Sequence, residues 1–288
     1  MNRPSVILFA LAAVFCGVAC SGDARGAARL SVRGSDTMVI LTQRWAEDYM
    51  RAHPETTIQV TGGGSGTGLA ALINGTTDLA TASRPITERE RRNLERNRAV
   101  EARGVPVAID AVAVYVHRDN PIESLTLAQL AALFRGQIDD WAQLGGAPGR
   151  VVLYSRENSS GTYAYFKERV LQDRDFASEA QTLPGTAAVI HAISRDPVGV
   201  GYGGIGFGEG VRAVPIVTDD GRAVAPTAES ALDGSYPLSR PLLIYTAGEP
   251  RGVAADFIAW ARSPDGQRLV DAAGYYPLPQ VRTARVSP

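Results

Sequence analysis

Thr57-Ile58-Gln59-Val60-Thr61 runs directly into Gly62-Gly63-Gly64-Ser65-Gly66-Thr67-Gly68, and Leu69, Leu72 and Ile73 follow at helical spacing. The stretch reads as a strand, a glycine loop and a helix. A helix N-terminus presents backbone N–H groups without intrahelical partners and the positive end of a dipole. Glycines and hydroxyls placed there let an anion approach the backbone closely. Two other segments have the same build, Gly34-Ser35-Asp36-Thr37 and Arg156-Glu157-Asn158-Ser159-Ser160-Gly161-Thr162. Ser and Thr are ordinary helix caps, so one such segment says little. Three in one chain, one carrying an arginine, point to a common tetrahedral oxyanion held without a metal.

Working outward, strands alternate with helices. Leu30 to Arg33 and Leu79 to Ala82 read as strands, and Leu41, Trp45 and Tyr49 place a helix over Thr37 to Ala52. Thr87 with Glu90 forms a capping box opening a charged helix through Arg98. Val105 to Val116 is apolar, broken only by Asp110. In the second half, Thr126 begins a helix through Phe134. Val151 to Ser155 is a strand feeding the Arg156 loop, and Thr162 to Leu171 is the helix after it. A helix over Thr186 to Ser194, a glycine-rich strand and turn over Val198 to Phe207, and a strand over Pro241 to Thr246 follow. Two helices close the pattern, Gly252 to Arg262 and one capped by Ser263-Pro264 and stopped by Gly274. This alternation predicts α/β architecture with mainly parallel sheets. In such sheets ligands bind beyond the carboxyl ends of the strands, where all three loops lie.

The 288 residues are 45% hydrophobic and 20% charged, with a formal net charge of -1. That is a globular composition long enough for two domains. Without a basic run it predicts no nucleic-acid partner. The start reads as an export signal, with Arg3 ahead of an apolar run from Val6 to Val18 that is too short to span a bilayer. Both cysteines, Cys16 and Cys20, lie here. Gly17-Val18-Ala19-Cys20 resembles a bacterial lipoprotein processing site, with Gly17 where leucine is usual. Ordinary cleavage near Ala19 or Ala28 stands beside lipidation of Cys20. Residues 21–29 read as a tether, and the exported chain has no cysteine pair left for a disulfide.

Read in order, further stretches carry a resemblance. They are Gly34 to Met38, Gly63 to Gly68, Asp78 to Pro85, Phe134-Arg135-Gly136-Gln137-Ile138-Asp139-Asp140-Trp141, and Ser155 to Tyr163. Tyr236-Pro237-Leu238-Ser239-Arg240-Pro241, Ser263 to Gln267 and Gly274 to Leu278 complete the set. The chain resembles the phosphate-binding proteins of bacterial ABC transporters, the PstS-like periplasmic binding proteins. The resemblance implies two lobes closing on phosphate, with crossovers near Asp110 to Val114 and Ser239 to Leu243. Lobe one would take residues 29–110 and 241–288, and lobe two residues 111–240. It also implies an exported, monomeric receptor, in the periplasm or at the cell surface, that delivers to permease subunits, while the lipoprotein-like site would hold it at the membrane by lipid on Cys20.

The resemblance places phosphate contacts at Ser35, Asp36, Thr37, Met38, Ser65, Ser83, Arg84, Arg156, Ser160, Gly161 and Thr162. Thr37 and Met38 would offer N–H groups, Arg156 a bidentate fork, and Ser160, Gly161 and Thr162 the start of a helix. Many relatives place an aspartate where Ser83 stands, as acceptor of the phosphate proton. Asp36 is the candidate replacement, or else a helix N-cap. Arg84 adds charge to the ligand, or pairs with a carboxylate across the cleft.

Other chemistry finds less support. The glycine loop lacks the lysine of a nucleotide P-loop. No Gly-x-Ser-x-Gly elbow surrounds Ser159 and Ser160. His53, His117 and His191 stand on separate elements, so no metal or cofactor is expected. The open readings are a phosphate receptor for transport, a phosphate-sensing lipoprotein, a binder of another oxyanion such as sulfate, and, furthest, a phosphatase.

Overall fold

A computed structural model describes residues 28–279. The export segment, Cys20 and most of the tether lie outside these residues, as does the C-terminal stretch from 280. No helix among the described residues is long and apolar enough to cross a membrane.

The first run of elements is β1 (Ala28–Gly34), α1 (Val39–Ala52), β2 (Thr56–Thr61), α2 (Ser65–Ile73), β3 (Leu79–Ala82) and α3 (Glu88–Arg98). The long β4 (Ala102–His117) then leads into β5 (Leu125–Thr126), α4 (Leu127–Phe134), β6 (Val152–Arg156), α5 (Gly161–Arg169), β7 (Gln181–Leu183) and α6 (Gly185–Arg195). Next come β8 (Gly199–Gly204), β9 (Val211–Val214), β10 (Ile216–Val217), β11 (Ala223–Val224) and α7 (Ala228–Leu232). The chain returns through β12 (Ser239–Ala247), α8 (Gly252–Ala261) and α9 (Pro264–Ala272).

The main sheet runs β2-β1-β3-β12-β4-β8-β6-β7, with β9 also on β4, while β11-β10-β5 forms a small second sheet. β4 serves both lobes. Its residues 102–111 pair with β12, and residues 112–117 pair with β8 and β9. One core gathers Leu30, Val32, Leu41, Trp45, Leu242 and Phe257, and another gathers Phe134, Phe166, Tyr202 and Leu238. In the second core the Phe166 and Tyr202 rings stack with centroids 4.0 Å apart.

The strands that βαβ connections supply are parallel, as expected: β1 with β2 and β3, and β6 with β7 and β8. The crossover strands make the main sheet mixed, because β12 enters between β3 and β4 antiparallel to both. β4 is also longer than its apolar core suggests, since Gly104 and Pro106 lie inside it. Proline donates no ladder hydrogen bond and is tolerated in strands chiefly at edges and bulges. Here the register slips opposite, between Leu242 and Leu243.

The capping box on α3 forms as the sequence indicates, with Thr87 and Glu90 reciprocally bonded. Arg84 joins it through Nη1 and Nη2, 2.8 and 2.7 Å from the two Glu90 oxygens. Burial alone would raise the Glu90 carboxyl, but the bonds from Arg84 and Thr87 outweigh it and hold the group below its ordinary value. A depressed carboxyl contributes stability that is present above its unfolded pKa and is lost as pH falls through the folded one. Glu90→Gln is therefore expected to lower unfolding stability by about 1 kcal/mol at neutral pH. The difference should shrink in acid, as read by denaturant unfolding at both conditions.

Candidate functional site

The three anion-directed loops come together between the lobes. β1 ends at Gly34, and Ser35 N–H donates to Thr81 Oγ1 at 3.0 Å, fixing the turn against β3. Ser35 Oγ is buried with no hydrogen-bond partner. Met38 fills the core of its lobe, and its N–H donates to Ser35 O. That group is already used, so Met38 contributes shape rather than a free donor. Asp36 caps no helix, because α1 starts without a side-chain cap. Its Oδ1 accepts from Gly63 N–H at 2.7 Å and its Oδ2 from Arg156 Nη2 at 2.9 Å.

Arg156 ends β6, and its side chain is 1% exposed against 16% for Asp36. Its Nη1 donates to Thr186 Oγ1 at 2.6 Å, and its Nε is buried without a partner. Burial pulls the Arg156 pKa down and Asp36 pushes it back up, while a guanidinium stays charged throughout. Thr186, at the start of α6, is read from the sequence only as a helix start, not as a partner of Arg156. The signal present was the Leu183-Pro184-Gly185-Thr186 run, a short strand breaking into a helix start.

α2 and α5 begin against each other. Ser65 Oγ accepts from Ser83 N–H at 3.0 Å and lies 3.4 Å from Ser83 Oγ. Ser160 caps α5 by accepting from Tyr163 N–H. Across the cleft Gly66 N–H donates to Ser159 O at 2.9 Å. Gly64, at φ +90°, lies so close that a Cβ would sit 2.5 Å from Ser159 O. A Cβ on Gly161 would come 2.2 Å from Ser65 Oγ and 2.6 Å from Ser83 Oγ. Thr162 Oγ1 and Thr37 Oγ1 bridge the lobes at 2.9 Å.

Thus Ser35, Asp36, Thr37, Ser65, Ser83, Arg156, Ser160, Gly161 and Thr162 share one buried junction. Arg84 does not join it, for its fork is occupied by Glu90 of its own lobe. The expectation of a ligand contact there is corrected by an intralobe ion pair. The sequence reading also gave no role to a second buried pair, Arg240 and Asp110, with Arg240 Nη2 reaching Thr162 Oγ1 at 2.9 Å. Asp110 as the lone polar break in an apolar strand was the available signal.

Chemically, this is a nest of donors. Gly66 and Tyr163 N–H are taken by Ser159 O and Ser160 Oγ, but the other first-turn N–H groups of α2 and α5 have no intrahelical partners, Arg156 is a buried cation, and several hydroxyls converge. Such a set suits an oxyanion with many acceptor lone pairs. Gly161→Ala tests the junction cleanly, because alanine is a good helix residue but its methyl clashes across the cleft. Affinity for the ligand should fall on the order of tenfold, since overpacking costs about 1–3 kcal/mol. The unfolding midpoint without ligand should stay put.

Residues 21–265 match the PBP superfamily domain. The phosphate-binding protein PstS of Pseudomonas aeruginosa is 38% identical over 268 residues, covering 87% of this chain and 83% of that protein. PstS of Staphylococcus haemolyticus is 30% identical over 269 residues, 90% of this chain and 82% of its own. Among solved structures, an ABC-type phosphate transport receptor from Vibrio cholerae superposes with TM-score 0.71 at 29% identity, covering 87% of this chain and 100% of that one. A proposed phosphate ABC transporter substrate-binding protein from Clostridium perfringens, solved with bound phosphate, superposes with TM-score 0.79 at 27% identity over the same shares. A junction of helix starts around a buried arginine, placed between two lobes, accompanies this likeness over most of both chains, and the chain belongs to the PstS-like phosphate-binding proteins of the periplasmic-binding-protein superfamily.

Proposed function

We propose that this protein captures inorganic phosphate between its lobes and passes it to an ABC permease. The observation that carries this reading is the buried Arg156, held across the cleft by Asp36 and left with an unpartnered Nε. A buried cation surrounded by donors calls for an anion. The contacts are Ser35, Thr37, Ser65, Ser83, Arg156, Ser160, Gly161 and Thr162, with Asp36 as the acceptor for a protonated phosphate oxygen. Lobe one comprises residues 29–110 and 241–288, and lobe two residues 111–240. The relatives bear the names of binding proteins, which supports binding rather than turnover.

Isothermal titration with phosphate, arsenate and sulfate tests this. Phosphate and arsenate should bind, and sulfate should bind more weakly because it brings no proton to Asp36. Asp36→Asn should narrow the phosphate-to-sulfate ratio, since an amide can turn a donor to the ligand. Sulfate binding more tightly than phosphate in the unmodified protein would overturn the reading.

The protein is exported as a monomer and held at the membrane through lipid on Cys20. Mass spectrometry of the native protein should find an acylated Cys20 as the first residue, carrying more than one chain, because a single chain anchors only marginally. A plain N-terminus at Ser21 or beyond would rule the anchor out.

A further inference from the structure

Arg240 and Asp110 stand directly opposite each other on β12 and β4, where the chain crosses between lobes. Nε and Nη2 of Arg240 donate to Asp110 Oδ2 at 2.9 and 2.8 Å. The pair is sealed, with side chains 1% and 0% exposed. The Tyr165 ring covers the guanidinium at 5.1 Å. Asp110 Oδ1 meanwhile accepts from Ile205 N–H at 3.0 Å, tying the pair to the end of β8. This crossover cluster does not stop at the pair, because Arg240 Nη2 also donates to Thr162 Oγ1 at 2.9 Å. Its Nη1 is buried with no partner.

The proton count at the next step is informative. Thr37 Oγ1 and Thr162 Oγ1, both buried, lie 2.9 Å apart. Each hydroxyl carries one proton, and one proton serves the bond between them. A guanidinium only donates, so Arg240 occupies acceptor capacity on Thr162 and takes no proton from it. Whichever threonine donates to the other, one O–H of the pair is left over. A buried O–H without an acceptor is costly, and an oxyanion at the junction would satisfy it.

We propose that Arg240 is a positioning residue for the anion, acting through Thr162. It fixes the Thr162 oxygen by donating to it, leaves the pair's spare O–H to the ligand, and links that donor to the interlobe crossover. The inference rests on the phosphate reading above. A glutamine in place of Arg240 would reverse the arrangement, because its carbonyl can accept the leftover proton. A lysine would preserve it, having donors only.

The test is calorimetric titration with inorganic phosphate on the full chain, with denaturant unfolding alongside. Arg240→Gln should weaken phosphate on the order of tenfold, while Thr162→Val, which leaves Thr37 its own O–H, should cost less. The double variant should be no weaker than Arg240→Gln alone, since without the Thr162 hydroxyl the glutamine carbonyl has no proton there to take. Arg240→Lys should keep most of the affinity. Losses that multiply in the double variant, or Arg240→Gln binding within twofold of the original, would overturn the inference while leaving phosphate binding intact. Should Arg240→Gln fail to fold, the apolar pair Asp110→Leu with Arg240→Met replaces it. That variant should lose on the order of tenfold in affinity, and unchanged affinity in it would overturn the inference. An unmodified protein that gives no phosphate signal would instead remove the phosphate reading, and this inference with it.

Discussion

Arg156→Ala is expected to abolish useful phosphate binding, with affinity down on the order of 10²–10³-fold. Removing one partner of a buried, hydrogen-bonded charge pair costs about 2–5 kcal/mol. Three things are lost together. The ligand loses its principal cation, Asp36 loses the partner across the cleft, and Thr186 loses its donor. The partly exposed Asp36 then faces the incoming anion as an uncompensated negative charge. Arg156→Lys should recover only part of the loss, because an ammonium cannot span Asp36, Thr186 and ligand as a planar fork does. Titration of the three proteins with phosphate reads this directly. Affinity within threefold of the original in Arg156→Ala would remove Arg156 from the site.

Asp110→Ala is expected to produce the largest loss of stability among single substitutions in the crossover. It leaves the Arg240 guanidinium buried and unpaired, at a cost of about 3–5 kcal/mol. The loss should appear as a lower midpoint in denaturant unfolding. Replacing both members by apolar residues, Asp110→Leu with Arg240→Met, should recover most of it, because well-packed apolar groups often equal or exceed a buried ion pair in stability. A double variant no more stable than Asp110→Ala would show that the site does not tolerate apolar packing. Stability and binding separate in this double variant, with the first restored and the second weakened, which is how a functional rather than a structural reason for the pair would show itself.

Much of the fold was legible because its elements carry local signals. The Thr87–Glu90 box, Thr126 before α4 and Ser263-Pro264 before α9 all cap helices where the sequence indicated. The short strands β7, β9, β10 and β11 and the helix α7 were not legible. Two to five residues hold too little periodicity to register, and these elements exist because neighbouring strands and cores complete them. Arg84 shows a different limit. Its sequence neighbourhood suits an anion site, but Glu90, six positions on in the first turn of α3, accepts from both of its Nη groups.

The sequence by itself determined the strand–loop–helix rhythm, the three helix starts built to face an anion, and the arginine among them. Those are properties of contiguous residues: propensity, capping and the φ freedom of Gly64 act over a few positions. Only the tertiary structure decided that the three starts share one junction, that Asp36 closes on Arg156 from 120 positions away, and that Arg240 stands behind Thr162 at the crossover. Such pairings follow from which strands β4 and β12 choose as neighbours, and that choice is made by burying two separate cores at once. No local pattern encodes it, because the free energy that selects it is spread over Leu30, Trp45, Phe166, Tyr202 and the other side chains that fill those cores.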